Sequence, residues 1–127
     1  MKQILIIEDD IVMQFLLRNL FTDAGHAVNS IMDGKDLAEH KDLKSADLII
    51  LDMMIPHVYD SSSLIELYKD NDTPIIVVSS IDEEDGLYFC KKIEAQAFFS
   101  KPFDSGKLLN KVDFLLETHK KKAVTSN

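Results

Sequence analysis

Four short stretches of this chain place acids, a hydroxyl and an amine directly after runs of large apolar residues. The clearest is Leu48-Ile49-Ile50-Leu51-Asp52, in which four aliphatic residues run into an acid and Pro56 follows four residues later. Such a run reads as a strand buried on both faces, as in a parallel sheet with helices on either side. Asp52 then leaves the sheet at its carboxyl edge, where ligands collect in open parallel sheets. Gln3-Ile4-Leu5-Ile6-Ile7 repeats the pattern and ends in Glu8-Asp9-Asp10. Ile75-Ile76-Val77-Val78 ends in Ser79-Ser80, and Ala97-Phe98-Phe99-Ser100 ends in Lys101-Pro102-Phe103. Taken singly, each group has an ordinary reading. Asp9 or Asp10 caps a helix, Asp52 makes a turn, Ser79 is a strand-end hydroxyl and Lys101 is an exposed amine beside a turn proline.

Taken together they describe a site. If the first and third strands are neighbours, Glu8, Asp9 and Asp52 converge, and carboxylates that close repel one another. A hard divalent cation resolves the conflict. Magnesium prefers one or two protein carboxylates, with further oxygens completing an octahedron. The carbonyl of Met54, in the loop after Asp52, is placed to be another ligand. Ser79 and Lys101 arrive at the same edge. A cation and an ammonium neutralise an incoming phosphoryl group, and a hydroxyl binds one of its oxygens. Aspartyl-phosphate formation is a known use of an activated carboxylate.

The elements that must position these groups follow in alternation. From Ile11 to Ala24 the apolar period is helical, with Met13, Leu16, Leu17, Leu20 and Ala24 predicted on one face and Gln14, Arg18 and Thr22 opposite. Asp10 is the better cap for this helix, and Gly25 stops it. His26 to Ile31 reads as a weaker strand, and Asp33-Gly34 as a turn. Short helices are expected at 35–41 and 61–69. Asp82 to Ile93 reads as a helix with acids in its first turn, as the helix dipole favours. Ser105 to Lys120 reads as the last helix, with Leu108, Leu109, Val112, Leu115 and Leu116 on one stripe. Leu87, Tyr88 and Phe89 in a row cannot all face the core. This is an α/β chain, a doubly wound five-stranded parallel sheet with helices on both faces. A flavodoxin-like (βα)5 order, 2-1-3-4-5, puts the first and third strands side by side.

Composition sets the bounds. The chain has 127 residues, enough for one domain, expected over 1–122, with 123–127 a frayed tail or the start of a linker. With 22 acids against 14 bases, the net charge is −8, which argues against a nucleic-acid surface. No apolar run approaches the roughly 20 residues that span a bilayer. The chain opens straight into a strand with no signal-peptide pattern, and its lone cysteine, Cys90, fits a reducing cytoplasm. Cys90 is expected in half-buried packing, and the histidines, His26 among them, at the surface or in loops.

The pieces quoted above, in this order along nearly the whole chain, resemble the CheY-like receiver domain of bacterial two-component response regulators. The resemblance implies that Asp52 is the phosphoacceptor. It implies that Asp9 binds Mg2+ directly, that Glu8 acts through water and that Met54 supplies a backbone oxygen. Ser79 and Lys101 would hold the phosphoryl group, Ser79 and Phe98 would form the switch, and Pro102 would be cis. The phosphoryl donor would be a sensor histidine kinase or a histidine phosphotransfer protein. The output would be a downstream protein target met by the last helix–strand–helix face. A domain of this kind is a regulatory phosphoacceptor, not an enzyme beyond assisting its own phosphotransfer and autodephosphorylation.

The sequence departs from the family pattern at Ile55, where methionine is usual, and in the loop His57-Val58-Tyr59-Asp60-Ser61, which lacks the usual glycine. Glu94-Ala95 stands in place of Gly-Ala. Met54 and Ile81, two residues past the acceptor and the hydroxyl, are apolar where polar groups would orient water. A slowly hydrolysed acyl phosphate is expected. The alternative is a pseudo-receiver, the fold kept as a protein-interaction module without phosphorylation. A flavodoxin-type electron carrier would need a hydroxyl- and glycine-rich phosphate loop where Glu8-Asp9-Asp10 stands. A haloacid-dehalogenase-type phosphatase would need an Asp-x-Asp there.

Overall fold

The structure, a computed structural model, describes residues 2–32, 45–53 and 72–118. Met54, Pro56, the turn at 33–34, the helices expected at 35–41 and 61–69, and the tail at 123–127 lie outside these residues.

Five parallel strands form one sheet: β1 (Gln3–Ile7), β2 (Ala27–Ile31), β3 (Leu48–Leu51), β4 (Ile75–Ser79) and β5 (Ala97–Ser100). Their order is β2-β1-β3-β4-β5. The described helices are α1 (Ile11–Asp23), α2 (Glu83–Ile93) and α3 (Ser105–Thr118). The order is the flavodoxin-like one expected, and β1 lies against β3 in the register Ile7 to Leu51.

Period-two alternation divides the strands between two cores. Ile4, Ile6, Leu48, Ile50, Ile76 and Val78 pack under α1 and α3, against Leu17, Phe21, Leu108, Val112, Leu115 and Leu116. Leu5, Ile7, Ile49, Leu51, Ile75 and Val77 face the other way, against Phe89, Cys90 and Ile93 of α2. That is why β1, β3 and β4 are nearly continuous aliphatic runs: a strand covered on both sides has no face for polar residues.

The helix ends follow their caps. The Asp10 side chain accepts from the Val12 and Met13 backbone N–H groups, so Asp10 caps α1 as expected. Gly25, at φ +94°, makes the left-handed turn that brings the chain back to β2. Asp82 caps α2 through the Asp85 N–H at 2.9 Å.

The phase of α1 differs from the sequence reading. Leu17 and Phe21 are its buried residues, with Met13 and Leu20 half-buried beside them. Leu16 and Ala24, predicted on the core face, are exposed, and Ile11, Val12, Phe15 and Leu16 form an outward apolar stripe. The helix is apolar around most of its circumference, so periodicity alone does not choose the inward side. Leu87 and Tyr88 of α2 are also exposed, while Phe89 is buried.

Candidate functional site

Each chemical group at the carboxyl edge hangs from a backbone amide tied to the neighbouring strand. The Glu8 N–H donates to the Ile31 carbonyl at 3.0 Å and the Asp52 N–H to the Ile7 carbonyl at 3.0 Å. The Lys101 N–H donates to the Ser79 carbonyl at 2.9 Å. The sheet's hydrogen bonding thus runs one residue past its strands and fixes all three residues where the apolar runs end. The Lys101–Pro102 peptide is cis, as the resemblance implied.

One oxygen from each of Glu8, Asp9 and Asp52 lies within 4.8 Å of the other two. Glu8 and Asp52 are buried and Asp9 is exposed. The Lys101 ammonium donates to Glu8 Oε1 and, at 3.1 Å, to Asp52 Oδ2. The second Glu8 oxygen accepts from the Asp9 N–H at 3.1 Å. Burial drives the Glu8 carboxyl up to about 7, and the Asp52 carboxyl beside it adds to the rise against the opposing pull of Lys101. Burial alone would depress the Lys101 ammonium, but Glu8 and Asp52 together carry it above the ordinary lysine range.

These three carboxylates and one ammonium leave a formal charge of −2. A hard divalent cation fits that donor set in charge and in oxygen chemistry. Glu8, Asp9 and Asp52 are the described side chains that would hold it. Met54, expected to add a backbone oxygen, lies outside the described residues.

Ser79 ends β4 fully buried, and its hydroxyl accepts from the Ile81 N–H at 3.3 Å. The strand therefore runs one residue further than the apolar pattern implied. By alternation its side chain lies on the α2 side, the same side as Val77. Phe98, paired with Val77 in register, is half-buried on that side and packs against the same cluster. The sequence groups thus gather at one edge, with Phe98 two residues below Ser79 in the pairing of β4 with β5.

Two side-chain placements escaped the sequence reading, Gln14 at this edge and His26 at the opposite end of the sheet. Gln14, placed on the outer face of α1, is half-buried, and its side-chain amide donates to the Glu8 carbonyl. The four-residue step from Asp10 was the available signal. His26 lies in the loop between α1 and β2, as one of the two expectations had it, but its side chain is mostly buried, with Nε2 3.2 Å from Asp113 Oδ1 on α3. The pair is 87 residues apart in sequence, and no local pattern announces it.

Comparison with known proteins agrees with this geometry. The response regulator receiver domain family matches residues 4–113. The regulatory protein VanRB of Enterococcus faecalis is 29% identical over 90% of this chain and 52% of its own length. Protein PilH of Pseudomonas aeruginosa is 26% identical over 91% of this chain and 98% of its own. The chain spans about half the length of most of the curated relatives it matches. Among solved structures, the receiver domain of a Francisella response regulator superposes with a TM-score of 0.81 at 26% identity, covering 94% of this chain and all of that one. The Thermotoga maritima response regulator TrrA, solved in complex with Mg2+ and BeF, shares the fold with a TM-score of 0.76 at 23% identity, over 91% of this chain and 99% of its own.

Proposed function

The chain belongs to the response regulator receiver domain family, and on that premise we propose that Asp52 accepts a phosphoryl group from a phosphohistidine donor and that the acyl phosphate resets a partner surface. The observation that carries this reading is the placement of Lys101, whose ammonium reaches both Asp52 and Glu8 at an edge where Asp9 completes a triad of acids. An Asp52 oxygen attacks the phosphorus, the nitrogen–phosphorus bond of the donor breaks, and its electron pair returns to the imidazole. Lys101 neutralises the phosphoryl oxygens, and Ser79 turns its hydroxyl from the Ile81 amide toward them. Asp9, Asp52 and the Met54 carbonyl would hold Mg2+, with Glu8 acting through water, and the ion would supply charge neutralisation at the phosphoryl group. Phe98, on the face Ser79 leaves, is the aromatic that responds, and Pro102 shapes the turn that delivers Lys101.

A sensor histidine kinase or a histidine phosphotransfer protein is the donor this chemistry requires. The exposed stripe of Ile11, Val12, Phe15 and Leu16 starts beside Asp9 and Asp10 and offers that donor an apolar footing. A downstream protein is the receiver of the signal, with no membrane contact and no direct nucleic-acid contact by this domain at its net charge of −8. No described helix is long and apolar enough to cross a membrane. A phosphorelay role and a lone cysteine support a cytoplasmic setting for the domain. Within that role it acts as a regulatory phosphoacceptor over residues 1–122, with 123–127 a tail or the start of a linker.

Mass spectrometry after acetyl phosphate and Mg2+ tests the reading. One phosphate is expected on the native chain, dependent on the cation, and none on Asp52→Ala. Because Met54 and Ile81 are apolar where polar groups would orient an attacking water, the label is expected to outlast minutes once the phosphodonor is removed. A phosphate that survives Asp52→Ala unchanged removes Asp52 from the mechanism. A native chain that never labels leaves the fold as an interaction module.

A further inference from the structure

Gly86 is the fourth residue of α2, its N–H bonded to the capping Asp82 carbonyl at 2.9 Å, and it is buried. Glycine is, after proline, the poorest residue for a helix interior. The three residues before it and the three after it carry side chains, so nothing local calls for glycine here. The packing does. A Cβ built at Gly86 would overlap the Phe98 ring at Cε1 and Cζ and would lie 2.9 Å from Cδ1. At Gly25, by contrast, nothing lies within 4 Å of such an atom. The ring therefore occupies the space a side chain on α2 would have filled. It reaches that space from β5, whose backbone is fixed by pairing with β4 at Val77 and Ser79.

We propose that Gly86 is a positioning residue: the gap left by its absent side chain seats the Phe98 ring beneath α2, and this seat, built into the helix, sets where the aromatic rests. The inference deepens the reading of Phe98 as the responding aromatic and rests on it for its regulatory meaning. The steric claim stands by itself. With any side chain at 86, ring and helix compete for one volume, because cores are packed too densely to absorb both. The consequence reaches the surface within one residue, since Leu87 and Tyr88 follow Gly86 and point outward at 52% and 72% exposure. A ring that leaves the seat lets α2 settle closer to β5 and carries that exposed pair with it.

The test is a cycle of Gly86→Ala and Phe98→Ala, read by thermal unfolding. In the native background Gly86→Ala is expected to lower the midpoint by several degrees despite alanine's better helix propensity. With Phe98→Ala in place, the same change is expected to raise the midpoint, by about 4 °C from propensity alone. A rise in both backgrounds, or an equal fall in both, overturns the proposal. If Gly86→Ala fails to fold, the double variant must fold, and its failure overturns the proposal as well. The second readout is the fluorine NMR signal of 4-fluorophenylalanine placed at position 98 alone. Gly86→Ala is expected at least to double its solvent isotope shift as the ring is expelled toward water, and an unchanged shift overturns the seat. Labelling of Asp52 by acetyl phosphate is followed on the same samples. Its loss in the native chain would defeat the receiver chemistry and leave the steric result at Gly86 untouched.

Discussion

The two faces of the sheet are filled differently. Under α1 and α3 the described core is built from large side chains in contact, with Phe21, Leu17, Leu108 and Val112 at 0–1% exposure over the aliphatic residues of three strands. Under α2 the helix offers a glycine, a phenylalanine, a cysteine and an isoleucine, and the opposing aromatic, Phe98, is half-buried. Burial pushes the Cys90 thiol up to about 11, so this face carries an inert sulfur where the other carries aliphatic carbon. The site edge draws on both faces, but Ser79 and Phe98 project on the α2 side. A densely packed interior does not deform continuously; it moves between discrete packings. The α1/α3 face therefore serves as a foundation that holds Glu8, Asp9 and Asp52 in register. The α2 face, with a gap in its helix, is where a second packing is available.

The sharpest way to break this contrast is to truncate one aromatic on each face. Phe21→Ala is expected to destabilise the chain by about 3–5 kcal/mol, the range for emptying a fully buried phenylalanine site. Phe98→Ala, from its half-buried seat, is expected to cost roughly 1–2 kcal/mol. Urea unfolding measures both. Equal costs would mean that the α2 face is packed as tightly as the other and has no room for a switch.

What the sequence disclosed and what it hid divide along the same line. The site was legible because its groups stand at the ends of strands buried on both faces, and such strands announce themselves as unbroken aliphatic runs. Glu8, Asp9, Asp52, Ser79 and Lys101 could be located by where hydrophobicity stops, and the strand order then brought the acids together. The phase of α1 was not legible. With Ile11, Val12, Phe15 and Leu16 apolar alongside Leu17 and Phe21, the helix has two candidate inward sides, and only contact with the sheet and α3 decides between them. The Gly86 seat was hidden for another reason. It joins a helix to a strand twelve residues away and leaves no period in the sequence, only a glycine where a helix would rather have none.

That undecided phase of α1 gives the next test of the contrast. Ile11 and Phe15 are 71% and 66% exposed, so they contribute little to the foundation beneath them. Ile11→Ser with Phe15→Ser is expected to change unfolding free energy by no more than about 0.5 kcal/mol per site, as for other surface substitutions. Labelling of Asp52 by acetyl phosphate, which needs no docking surface, should be unchanged. Phosphotransfer from a phosphohistidine protein should slow by at least about tenfold, equivalent to roughly 1.4 kcal/mol of lost docking. Slowing with both donors would place the stripe in the chemistry instead. Slowing with neither would leave it as surface without a partner.

The smallest effect is expected at the margin of the foundation, where His26 meets Asp113. This pair ties the loop between α1 and β2 to α3 at 3.2 Å, with the imidazole mostly buried and the carboxylate 48% exposed. Water can replace the imidazole at a carboxylate so open, and pairs of this kind are worth up to about 1 kcal/mol. Asp113→Asn keeps an acceptor and is expected to be close to neutral in urea unfolding, while Asp113→Ala should cost no more than about 1 kcal/mol. If Asp113→Ala cost as much as Phe21→Ala, a single polar contact would be holding α3 in place. The α1/α3 face would then be a latch as breakable as the seat under α2, and the division between a fixed side and a movable side would fail where it is weakest.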